Sequence, residues 1–258
     1  MTSAAVRRVW TIGGSLFAVP LLIISTAQIA GTLARGRTAE VTTFAAAEIR
    51  LLDVRNRSGS VEVVGREVAE VTVSADMSHG FQRSRHRASV EDGVLTVRTS
   101  CPIFSADCSV RYRIVVPASM AVTARAHNGR LTVADVTGNV RVGGDNGAIE
   151  LARLSGALHA STNNGRVRGT SLSSEDVTAE SDNGDVELEF AQPPRQVSAS
   201  THNGTVDVVL PETSHTYRVD LATHNGRTET AVRTDPASAR SIVGRSDNGS
   251  LSVRYPTG

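Results

Sequence analysis

Residues 127–167 read HNGRLTVADVTGNVRVGGDNGAIELARLSGALHASTNNGRV, and this stretch decides the fold. It holds Asn128-Gly129, Asn146-Gly147 and Asn164-Gly165, and the dipeptide continues at Asn183-Gly184, Asn203-Gly204, Asn225-Gly226 and Asn248-Gly249. Successive intervals are 18, 18, 19, 20, 22 and 23 residues. Spacing this regular marks a repeat architecture. Between turns the chain alternates with period two, as in Leu131 and Val133, Val140 and Val142, Ile149 and Leu151, or Leu158 and Ala160. Each unit therefore reads as strand, corner, strand and Asn-Gly turn, with a small aliphatic inner face and a polar outer face.

Two architectures can use such a pattern. In an antiparallel meander the Asn-Gly pairs would form tight hairpin turns. In a parallel solenoid each unit is one coil, and equivalent residues stack about 4.8 Å apart. A meander has no need of the same dipeptide at every second turn. Stacked coils favour Asn on Asn, and Gly tolerates a left-handed corner. An all-β, single-domain parallel solenoid with 18–23 residues per coil is expected, with domain bounds of 48–256. Weaker coils are expected at Ser58-Gly59 and Asp92-Gly93, an exposed loop over 77–88, and a capping role for the last unit, ending at Tyr255-Pro256.

Composition fits a thin, layered core: aromatics make up 3% of the 258 residues, and 27 Lys+Arg against 26 Asp+Glu leave a net charge of +1. A nucleic-acid-binding domain would be strongly basic, so no nucleic-acid partner is expected. Residues 9–34 carry no charge and are long enough, at about 1.5 Å per residue, to cross a bilayer as a helix. They read as a signal anchor, after a cytoplasmic stub at 1–8 and before a stalk at 35–47, with a cleaved signal peptide as the alternative. The expected location is the cell membrane, single-pass, with the C-terminal domain outside the cytoplasm. Cys101 and Cys108 lack further metal ligands nearby. In an exported chain they read as a disulfide, worth about 2–3 kcal/mol by chain entropy; in a cytoplasmic domain they would be free thiols.

The segments RLLDVRNRSGSVEVVG (50–65) and YRIVVP (112–117), with the run of Asn-Gly coils, resemble the bacterial β-strand-repeat domains of unknown function, the adhesin-like or head-GIN-type domains common in membrane-anchored form in actinobacteria. The resemblance spans residues 44–255 and implies a β-solenoid of the cell envelope. It supplies no catalytic residues, and its adhesin label is an analogy of fold. The implied partner is an envelope protein or a polysaccharide, with end-to-end self-association as a further possibility.

Four groups of residues are candidate sites. Glu150, Glu187, Glu189, Asp207 and Glu229, with Thr132 and Ser252, would form an outward acidic row if the coils stack in register, and paired carboxylates could serve a carbohydrate-active β-helix enzyme. The DNGD segment at 182–185 concentrates carboxylates, although turn capping explains it without an ion. His127, His202 and His224 precede turn asparagines, and the last two are expected in adjacent coils, where they could respond to pH or take a transition metal. Arg83, Arg85, His86 and Arg87 form a basic loop able to touch phosphate groups. No catalytic, cofactor or metal residue is assigned, and the fourteen Asn-Gly residues are read as a structural turn ladder.

Overall fold

The computed structural model describes residues 36–79, 85–100 and 109–256. The chain begins with β1 (Gly36–Ala45), β2 (Leu51–Ser58), β3 (Val61–Arg66), β4 (Glu70–His79), β5 (Arg85–Glu91), β6 (Val94–Ser100) and β7 (Ser109–Pro117). The repeat follows as β8 (Ala121–Asn128), β9 (Leu131–Ala134), β10 (Val140–Asn146), β11 (Ile149–Ala152), β12 (Leu158–Asn164), β13 (Val167–Leu172), β14 (Asp176–Asn183) and β15 (Val186–Phe190). It closes with β16 (Gln196–Asn203), β17 (Val206–Val209), β18 (Arg218–Asn225), β19 (Thr228–Ala231), β20 (Ser241–Asn248) and β21 (Leu251–Arg254). Two open sheets result. One has the order β1-β4-β7-β3-β9-β11-β13-β15-β17-β21-β19, the other β18-β20-β16-β14-β12-β10-β8-β2-β6-β5.

Within the repeat all pairing is parallel and like meets like. Asn128 aligns with Asn146, Asn146 with Asn164, Asn164 with Asn183 and Asn183 with Asn203. The meander is thereby excluded for this region. Each unit places one strand in each sheet, and the inner faces meet in a core of Val, Leu, Ile and Ala from Val54 to Val253. Side chains of this size fill a narrow space between sheets without voids.

The asparagines form a hydrogen-bonded file. The Nδ2 of Asn146 donates to Asn128 Oδ1 at 3.1 Å, and Asn164, Asn183 and Asn203 continue the file at 3.1, 3.1 and 2.9 Å. Asn248 then donates to Asn203 at 3.0 Å and Asn225 to Asn248 at 2.9 Å. Beside this file the corners touch backbone to backbone. A Cβ placed on Gly147, whose φ is +152°, would lie 2.1 Å from the carbonyl oxygen of Gly129. Glycine is thus required by close approach as well as by conformation. Inward hydroxyls two residues before the asparagine complete the corner: Ser181 Oγ donates to Gly165 O at 2.9 Å and Thr201 Oγ1 to Gly184 O at 2.8 Å. These buried hydroxyls satisfy carbonyls that the ladder leaves open.

The ends depart from a serial stack. The last unit, β20–β21, does not cap the array; it inserts between β16–β17 and β18–β19. The reason lies in the side chains. At the inward positions of β21 stand Leu251 and Val253, whereas β19 offers Thr228 and Thr230, which stay exposed at the end. At the other end β2–β3 is likewise an interior unit, flanked by β8–β9 and by β6–β7. The expected stalk is largely strand: β1 pairs antiparallel with β4 along its whole length. The expected loop over 77–88 is likewise shorter, because β4 runs to His79 and β5 starts at Arg85, antiparallel to β6. These antiparallel strands cover an end whose backbone groups would otherwise lack partners.

The expected span at 9–34, the stub at 1–8 and both Cys101 and Cys108 lie outside the described residues. Among the described residues no helix is long and apolar enough to cross a membrane.

Two stability measurements follow from the ladder. Gly147→Ala should cost about 2–3 kcal/mol in chemical denaturation, because a carbonyl occupies the methyl's place. Asn183→Ala removes two ladder bonds and should cost about 1–2 kcal/mol, roughly twice the loss for Asn225→Ala at the end of the file. Equal losses at both positions would argue against a continuous ladder.

Candidate functional site

Every outward position of a stacked unit becomes a row of side chains along the axis. Three rows carry chemistry.

The first borders the turns and reads, in stacking order, His127, Asp145, Asn163, Asp182, His202, Asp247 and His224. His202 and His224 are therefore not neighbours, as expected from chain order; the inserted last unit places Asp247 between them. His224 Nδ1 lies 3.2 Å from Asp247 Oδ1, and His202 Nδ1 lies 3.3 Å from Asp182 Oδ1. His127 Nδ1 contacts Asp145 Oδ2 in the same way. The row alternates imidazole with carboxylate over much of its length. Among the described residues no group of three or more His, Cys, Asp or Glu side chains could hold a metal ion.

The second row runs along the outer face of the first sheet: Arg113, Glu62, Thr132, Glu150, Arg168, Glu187, Asp207, Ser252 and Glu229. This is the expected acidic row, but Arg168 divides it and Glu189 belongs to a parallel row beside Val209. Its carboxylates are largely paired. Glu150 lies 3.4 Å from Arg130, Glu187 lies 3.4 Å from Arg166 and 3.6 Å from Arg168, and Arg254 donates to Asp207 at 2.8 Å. Bonding to Asp207 raises the affinity of the Arg254 guanidinium for its proton.

Asp185, in the DNGD segment, is a turn residue of the capping kind. It accepts from the Thr205 backbone N–H at 3.0 Å and from Thr205 Oγ1 at 2.9 Å, with Arg166 at 3.4 Å. Above all the backbone donor, with the Thr205 hydroxyl and Arg166 adding to it, holds its carboxyl below the usual carboxylate range, against the opposing effect of partial burial.

The third row lies on the outer face of the second sheet, at the end carrying β5. Arg87 pairs in register with Arg98, Arg98 with Arg55, and Arg55 with Arg125. All four are exposed. The next two positions in the row are Gly143 and Ser161. A concavity of about 620 Å³ opens there, lined by Arg55, Arg57, Arg125, His127, Gly143 and Gly144 among others. The expected basic loop contributes only in part to this face. Arg83 lies outside the described residues, and His86 turns inward, its side chain 4% exposed and its Nε2 3.1 Å from Glu40. Sequence order hides the arginine row, since its members come from four strands spread over residues 55–125.

Asp185 gives a pH test. A depressed carboxyl pKa contributes stability that is present above the ordinary carboxylate range and lost as pH falls through the folded-state value. Asp185→Ala should therefore lower stability by about 1 kcal/mol at neutral pH, with the gap to wild type closing on acidification. A gap that stays constant into the acid range would remove the carboxylate from the account.

No curated protein matches the chain. Among solved structures, a "putative adhesin" from Bacteroides fragilis shares 14% identity over 85% of this chain and 97% of its own, with a TM-score of 0.49. A "putative cell adhesion protein" from Clostridium sporogenes shares 11% identity over 86% of this chain and 100% of its own, at a TM-score of 0.40. A "putative lipid binding protein" from Parabacteroides distasonis covers 85% of this chain and 97% of its own at 12% identity and a TM-score of 0.39. Sequence carries the assignment further than these loose likenesses: the Toastrack DUF4097 model matches residues 46–256, nearly the whole described array, and the chain belongs to that family.

Proposed function

We propose that this protein is a non-catalytic, membrane-anchored β-solenoid of the cell envelope that presents its outer rows to a partner. The observation that carries the reading is the character of those rows. They are regularly spaced by two sheets and open to solvent, and along the first sheet most of the carboxylates are paired, as at Arg113–Glu62 and Arg254–Asp207. Solvent-exposed pairs of this kind add little to stability, so their regularity shapes a surface more than it stabilises a core. The uncharged run at 9–34 supports the membrane tether.

A second reading, end-to-end self-association, is favoured by the terminal unit. β18 and β19 each have one neighbour only, and Val219 and Leu221 of β18 are partly open to solvent. Sedimentation of the full chain in detergent should then show a species that grows with concentration. A single monomer boundary throughout would sink this second reading.

The tether and its orientation are tested with an impermeant thiol reagent on intact cells expressing the full chain. Labelling of Cys101 and Cys108 only after mild reduction is expected, which would fit an exported domain with a disulfide. Labelling only after lysis, without reductant, would overturn the envelope reading.

A further inference from the structure

In the arginine row four like charges follow one another on adjacent strands. Guanidiniums directly opposite one another across strands are destabilising. Here Arg87, Arg98, Arg55 and Arg125 follow one another at the strand spacing of about 4.8 Å, a file of about 14 Å. Asp53, 3.2 Å from Arg55, forms the only ion pair made by these four among the described residues. Elsewhere in the molecule arginines facing outward are repeatedly matched to a carboxylate, as at Arg153 with Asp135 and Arg245 with Asp220. The mismatch is therefore local.

The trough beside the file is also local, and the fold does not require it. Gly143 sits in mid-strand, where glycine is less favourable than alanine because it loses more conformational freedom on folding. A Cβ there would meet Arg125 Cγ at 3.6 Å, Ser161 Oγ at 3.8 Å and the Ser161 carbonyl oxygen at 4.0 Å, all ordinary contacts. The glycines of the turns are forced by carbonyls about 2 Å away; this one is not. Its missing side chain leaves the floor of the concavity open next to Arg55, Arg125 and Arg57, with Asp145, in contact with His127, the one carboxylate in the lining.

We infer that this face binds a linear, phosphate-bearing polyanion that lies along the stacking axis, over the arginine file, with its end seated in the trough above Gly143. The guanidinium fork matches phosphate oxygens in pairs. A file one residue wide, deepening at one end, suits a slender chain better than the plane of a lipid surface. Arg87, Arg98, Arg55, Arg125 and their outward neighbours Ser89, Thr96, Asp53 and Thr123 include no aromatic ring, so the stacking platforms of single-strand nucleic-acid sites are absent from this face. The inference deepens the interaction-module reading by naming the partner's chemistry, and it holds on whichever side of the membrane the domain lies.

The test uses the full chain in detergent and end-labelled linear polyphosphate, followed by fluorescence anisotropy. Saturable binding that weakens with salt is expected. Arg55→Ala with Arg125→Ala should weaken it roughly thirtyfold, at about fivefold per charge removed. Gly143→Val, which fills the trough with a good strand former, should weaken binding with no fall in melting temperature. The pair Arg168→Ala with Arg254→Ala, on the opposite sheet, should leave binding unchanged. No saturable binding by the wild type, or an equal loss in the opposite-sheet pair, would overturn the proposal. So would capture by phosphatidylglycerol vesicles that needs Arg55 and Arg125 while polyphosphate fails to bind, which would assign the face to a lipid surface. Tighter binding of single-stranded DNA, lost in the same variants, would assign it to nucleic acid. None of these outcomes depends on the thiol-labelling result, so the partner chemistry and the envelope location fail separately.

Discussion

The corners of this protein approach each other so closely that a single atom decides what can stand there. With the carbonyl of Gly129 about where a methyl on Gly147 would go, each corner must be a near copy of the one below it. The asparagine file and the inward hydroxyls then fix the copies to one another through side-chain bonds of 2.8–3.1 Å. Register in both sheets follows from that, because a strand cannot slip without moving its corner off the file. So does the composition: coils held at strand spacing leave a thin interior that Val, Leu and Ala fill, while larger rings such as Tyr112 and Tyr217 are buried toward the two ends.

Fixed register turns the outside of the molecule into straight rows, and the rows differ in electrostatic character. Along the turns imidazoles and carboxylates neighbour one another, as in Asp182, His202, Asp247 and His224, and along the first sheet most carboxylates are paired with arginines. That order exists only because the last unit enters the stack out of sequence; in chain order two histidines would be adjacent. On the second sheet, near β5, four arginines share a row instead. A scaffold that pairs many of its outward arginines with carboxylates carries one file of four with a single ion pair, at Arg55, and this contrast sets that face apart.

Much of the middle of the fold was legible in the sequence, because the repeat is local. Asn-Gly spacing and the alternation of Leu131, Val133, Val140 and Val142 give strand, turn and inner face directly. The ends were not, since β1, β4 and β5 pair antiparallel with strands chosen by tertiary contact. Two signals for the out-of-order unit were nevertheless present. The intervals lengthen to 22 and 23 residues where the connections must pass over a neighbouring position. Thr228 and Thr230 also stand where an interior coil needs aliphatics. Ser181 and Thr201 escaped notice as core residues because a hydroxyl in a strand reads as outward until its carbonyl partner is seen. The arginine row could not be read at all, because its members are adjacent only after folding.

Interleaving at both ends has a consequence for how such a protein can change length. In a serial array a unit can be lost from either end and the next one simply becomes terminal. Here β20–β21, which follow β18–β19 in chain order, occupy a place inside the stack, so β18–β19 have no strand of that array to pair with until β20–β21 are in place. At the other end, β2–β3 are covered by β6–β7, which come after them in the chain. Each end is thus a latch of two units that pair out of chain order, while the coils from β12 to β17 stack serially between them. Duplication or deletion of whole coils in that middle segment would move the two latched ends apart or together in steps of one strand spacing, without disturbing either.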